Sequence, residues 1–147
     1  MRNHSGICFR HAIRLEPYLT GPRTELAALL DANGGGGDQV AQLRREELAN
    51  LERDARLLPD SAITHYRLGL MRYLAGDLAG AQQSLTQATK RAPNSYEFLM
   101  ALALLYERTE DWDDAVATLE KMRKLRPADP RTRQILQRLN HLRDARN

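Results

Sequence analysis

Shifting the chain along itself so that Ala62 falls on Tyr96 aligns 62–95 with 96–129 without a gap, and this internal repeat, with a period of thirty-four, constrains the fold more than any other feature. Identities fall at Leu68/Leu102, Leu70/Leu104, Asp77/Asp111, Ala81/Ala115, Leu85/Leu119, Lys90/Lys124 and Pro93/Pro127. Near-matches fall at Gly69/Ala103, Leu78/Trp112 and Ser84/Thr118. Each lies where two packed antiparallel helices would limit side-chain size.

Each repeat reads as helix, tight turn, helix: a first helix near 61–74, the turn Ala75-Gly76-Asp77, and a second helix near 78–91. The small residues Gly69, Ala103, Ala81 and Ala115 would let the paired helices approach closely, with Leu85 and Leu119 filling the space one turn on. Pro93 and Pro127 stop the second helices, because proline cannot continue the hydrogen-bonded ladder. Asn94 and Glu97 have capping-box spacing for the next helix, and Asp129-Pro130 reads as an N-cap followed by proline at the first helical position.

This pattern resembles the tetratricopeptide repeat family. The matching positions are the small residue at eight (Gly69, Ala103), alanine at twenty (Ala81, Ala115), a large apolar residue at twenty-four (Leu85, Leu119) and proline at thirty-two (Pro93, Pro127). Leucine at seven (Leu68, Leu102) and Tyr106 at eleven also match, whereas His65 at four and Arg72 at eleven depart from the pattern. The resemblance implies an all-α, tetratricopeptide-like superhelix of antiparallel helix pairs.

The flanks extend the array. Asp38 is expected to cap a helix reaching about Leu58, with Ala41, Leu48, Leu51, Ala55 and Leu58 on its apolar stripe. Its partner is expected over Thr24–Asn33, closed by Gly34 and joined through the flexible run Gly34-Gly35-Gly36-Gly37. A last helix over 130–143 would bury Ile135, Leu136, Leu139 and Leu142. The expected organisation is a flexible arm (1–22), a degenerate helix pair (23–59), two repeats (60–94 and 95–129) and a C-terminal cap (130–147). That makes about seven helices, roughly three repeats plus a capping helix.

Composition narrows the function. No apolar run approaches the roughly 18 residues a membrane span needs, and residues 1–14 scatter charges and histidines where a signal peptide would be apolar. A cytoplasmic setting is the default expectation, and the single cysteine, Cys8, excludes an intramolecular disulfide. Were 4–11 helical, His4, Cys8 and His11 would share a face, but one helix seldom completes a tetrahedral metal site and no fourth ligand is identifiable. The four glycines lack the lysine and hydroxyl of a phosphate-binding loop, since Asp38 and Gln39 follow them. Glu110, Asp111, Asp113 and Asp114 surround Trp112 without calcium-loop spacing and read as a solvated turn. No nucleophile motif stands out. The chain is therefore expected to be neither an enzyme nor a holder of metal or cofactor.

Charge and the resemblance address partners. Residues 121–147 hold nine lysines and arginines against two acids, so the basic end is an alternative, less favoured, site for nucleic acid. In the family, first helices line a concave surface, which the resemblance places at Ile63, Tyr66, Leu70 and Tyr73, then Glu97, Met100, Leu104 and Glu107. Tyr66 and Leu70 stand where chaperone-tail clamps of the family carry lysine and asparagine, so that clamp is not expected. What remains is an apolar strip with an acidic side. The favoured expectation is a non-catalytic interaction module, an adaptor, scaffold or assembly factor. It would bind a protein or peptide segment, a second copy of itself, or its own N-terminal arm.

Overall fold

The computed structural model describes residues 4–145. Among them lie eight α-helices: α1 (His4–Leu15), α2 (Pro22–Ala32), α3 (Gly37–Leu57), α4 (Ala62–Leu74), α5 (Leu78–Arg91), α6 (Tyr96–Thr109), α7 (Trp112–Leu125) and α8 (Pro130–Asp144). The described residues include no strand and no helix long and apolar enough to cross a membrane. The helices fall into two compact units, one ending at Pro59 and the other beginning at Asp60. Residues 1–3 of the expected arm and 146–147 of the expected cap lie outside the described residues.

In the second unit, α4 pairs with α5, α6 with α7, and α8 packs on α7. The helix starts are set by side chains that accept the otherwise unpaired amide hydrogens of a first turn. Ser61 Oγ accepts from Thr64 N at 3.3 Å, Asp77 Oδ1 from Gly80 N at 2.9 Å, and Ser95 Oγ from Phe98 N at 3.4 Å. Asp129 caps α8 as expected, accepting from the amides of Arg131 and Thr132. The cap of α6 is Ser95 and not Asn94, whose side chain would meet the helix one residue too early.

The expected small positions sit at the core. Ala81 and Ala115 are fully buried, as is Leu119, and Leu85 is nearly so. One apolar cluster gathers Ala81, Leu85, Leu102 and Leu105; a second joins Leu99, Ala103, Ala115, Leu119 and Met122 to Leu136 and Leu139 of α8. Trp112 packs against the second cluster as a half-buried side chain. Leu142, expected on the inner stripe of α8, is 44% exposed instead.

The first unit departs further from expectation. Residues 4–15, read as part of a flexible arm, form α1, and this is the additional helix. Phe9 and Ile13 pack against Leu26, Ala27, Val40 and Leu43, while Gly6 lets α1 approach Leu29 of α2. That apolar side is thus occupied within its own unit, so these residues are not a free strap.

Helix α3 begins at Gly37 after Gly36 in a left-handed conformation, so Asp38 lies inside the first turn and does not cap it. Its buried stripe is Val40, Leu43, Glu47 and Leu51; Ala41 and Leu58 of the expected stripe are exposed. The carboxylate of Glu47 accepts the Gly21 amide hydrogen at 2.6 Å, and Arg23 Nε donates to Glu46 at 2.9 Å. A polar seam therefore joins α3 to the start of α2. Hydrogen bonding to Arg23 and Gln42 holds the Glu46 carboxyl below the usual carboxylate range.

Candidate functional site

The second unit carries an open apolar groove of about 440 Å³ between the first helices of its two hairpins. Helix α4 contributes Tyr66, Leu70 and Tyr73, whose spacing of four and three puts them on one helical face. Helix α6 contributes Glu97, Met100 and Leu104 with a similar periodicity, together with Tyr96 and Ala101. Leu85 and Leu105, both buried, close the floor, and Arg131 of α8 stands at one end.

Six of the eight expected groove residues meet here. The other two do not: Ile63 is 48% exposed outside the lining, and Glu107 turns to Arg138 in an ion pair of 2.5 Å. Tyr96, Ala101, Leu85, Leu105 and Arg131 also line the groove, beyond the residues the sequence assigns to it. Arg131 was within reach of the sequence, because the repeat offset that carries Ile63 to Glu97 also carries Glu97 to Arg131.

The aromatic wall is held in place by polar contacts at its edges. Tyr66 stacks on Phe98 with ring centroids 4.5 Å apart, and its hydroxyl donates to Glu97 Oε1 at 3.1 Å. Burial, reinforced by the Glu97 charge, pushes the Tyr66 hydroxyl up to about 12. Arg108 lies over the Tyr73 ring at 5.2 Å and donates to its hydroxyl at 3.4 Å. The Tyr96 hydroxyl donates to Asp129 and also contacts Thr132 Oγ1 at 2.6 Å, while Arg126 covers its ring at 4.4 Å. Burial and the Asp129 contact raise the Tyr96 hydroxyl above its ordinary range.

Both acids expected along the groove have side-chain partners. Glu97 is engaged by Tyr66 and Glu107 by Arg138, so neither offers an unengaged carboxylate to an incoming ligand. Elsewhere, α1 does place His4, Cys8 and His11 at helical spacing, and Cys8 is exposed. Among the described residues no three His, Cys, Asp or Glu side chains gather closely enough to hold a metal ion.

Residues 72–139, which run from α4 into α8, match the tetratricopeptide repeat family. These residues form tetratricopeptide-type repeats. Solved structures agree on the fold. MamA superposes with a TM-score of 0.69 at 17% identity, over 95% of this chain and 77% of MamA. A thermophilic tetratricopeptide-repeat protein of Thermus thermophilus gives 0.71 at 24% identity, covering 93% and 72% of the two chains. MamA from Desulfovibrio magneticus RS-1, from residue 41 to its end, gives 0.66 at 19% identity, covering 97% and 83%. No curated protein matches the sequence. The tetratricopeptide repeat is a protein-interaction fold, and its first helices are the ones that line the groove described above.

Proposed function

We propose that this chain is a non-catalytic protein-interaction module, an adaptor, scaffold or assembly factor, that holds a segment of a partner protein in the groove between α4 and α6. The observation that carries the reading is the apolar lining. Leu70, Met100 and Leu104 ring an open hollow, and Leu104 is 44% exposed. Covering a side chain of this size is worth about 1.5–3 kcal/mol, so a ligand that fills the hollow gains substantially from it. An apolar groove between two helices is the kind of surface that takes an amphipathic helix or an extended segment of a partner.

The test is a pull-down or peptide array comparing the unaltered chain with Tyr66→Ala/Leu70→Ala. A folded double variant is expected to lose the partner. Unchanged capture by that folded variant would defeat the groove assignment. Capture of a second copy of this chain, abolished by the same substitutions, would identify the partner as the chain itself.

A further inference from the structure

The concave register of the two repeats continues onto α8. Advancing Glu97, Met100, Leu104 and Glu107 by one repeat length gives Arg131, Gln134, Arg138 and His141. All four are exposed on α8, and their spacing of three, four and three places them on one helical face. One of them, Arg131, lines the end of the groove, and Arg138 reaches back to Glu107 of α6 just outside the lining. The surface therefore changes character along its length. It is apolar and aromatic over α4, mixed over α6, and basic over α8, whose single acid, Asp144 at its last position, pairs with Arg143.

The acids near this end are already engaged. Glu97 accepts from Tyr66, Glu107 from Arg138, and Asp129 from Tyr96, Thr132 and two backbone amides. Arg131 has no ion-pair partner among the described residues. Resting on the groove reading above, we infer that the occupant is an amphipathic segment with its charge gathered at one end. Its apolar side chains lie over Tyr66, Leu70 and Leu104, and a cluster of carboxylates at that end meets Arg131 and Arg138. Opposite charges at the rim of an interface set orientation and encounter rate, and salt screens them.

Fluorescence anisotropy on the full chain tests this with three synthetic amphipathic peptides sharing one leucine stripe. They differ in carrying glutamates, glutamines or lysines at one end. The glutamate probe is expected to bind about fivefold or more tighter than the glutamine probe, with the lysine probe weakest. Raising salt to about 0.5 M should compress that order, because the screening length then falls to a few ångströms. Arg131→Gln/Arg138→Gln should bring the glutamate probe's affinity down to that of the glutamine probe.

Equal binding of the glutamate and glutamine probes, or preference for lysine, would overturn the charge inference while leaving the groove reading intact. Folded Leu70→Ala/Leu104→Ala that still binds all three would overturn the groove reading itself. No binding by any probe would count against both. A single-stranded oligonucleotide that outcompetes the glutamate probe through the same arginines would replace an acidic protein segment with nucleic acid.

Discussion

Gly69 of α4 lies directly against Leu85 of α5: a Cβ built on the glycine would stand 2.7 Å from the leucine Cγ and 2.8 Å from its Cδ2. The equivalent pair in the next repeat is Ala103 and Leu119, both buried in the second hairpin. Glycine in mid-helix ordinarily weakens a helix by about 0.5–1 kcal/mol relative to alanine. Here the contact reverses the sign. Gly69→Ala is expected to destabilise the second unit by about 1–3 kcal/mol, since overpacking a filled core costs that much. Denaturant melts of the two proteins decide it, and a more stable alanine variant would contradict the close approach.

The turn inside each hairpin makes a paired prediction. Gly76 has φ 82°, and Glu110, its counterpart in the next repeat, has φ 61°. A left-handed residue with a side chain carries a penalty of about 1–2 kcal/mol that glycine does not. Gly76→Ala should therefore lower stability by about 1 kcal/mol, and Glu110→Gly should raise it by a smaller amount. Thermal melts of both variants measure the two signs.

Acid sensitivity should centre on Asp129. Its carboxylate accepts from the Thr132 hydroxyl, the Tyr96 hydroxyl and the backbone amides of Thr132 and Arg131, which hold it well below the usual carboxylate range. A carboxyl whose native pKa is depressed stabilises the fold above its unfolded value, near 4, and loses that contribution as pH falls through the native one. Unfolding midpoints followed from pH 7 to pH 2 should fall on acidification. Asp129→Asn should flatten that fall while lowering the midpoint at pH 7. An unchanged slope in the variant would assign the acid limb to other groups, such as Glu46.

Helix α1 should behave as part of the first unit's core. Phe9 and Ile13 pack on Leu26, Ala27, Val40 and Leu43. Truncating both to alanine is expected to cost about 1–2 kcal/mol, because each is only half-buried, and to speed proteolysis around residues 15–20. Proteolysis at an unchanged rate would show that this docking contributes little.

The second unit was legible because its repeat reports packing twice. Two copies of a small residue opposite a large one, each closed by proline, leave few arrangements other than stacked hairpins. The first unit was less legible for identifiable reasons. Its buried stripe passes through Glu47, a carboxylate satisfied by the Gly21 amide, so the apolar periodicity of α3 is broken at the position that matters most. Helix α1 buries only Gly6, with Phe9, Ala12 and Ile13 half-buried, and no acid in its first turn marks its start. In the groove, Glu97 lines the hollow hydrogen-bonded to Tyr66 and Glu107 turns to Arg138, and these partners lie 31 residues away in sequence.

The most direct test of the groove labels the methionine methyl groups and titrates the chain with the glutamate-ended probe or with a captured partner segment. Met100 lines the hollow, whereas Met71 and Met122 are buried in the core. The expected result is a saturable shift of the Met100 methyl resonance with Met71 and Met122 nearly still. Saturable binding that leaves Met100 unmoved would contradict a ligand seated between α4 and α6.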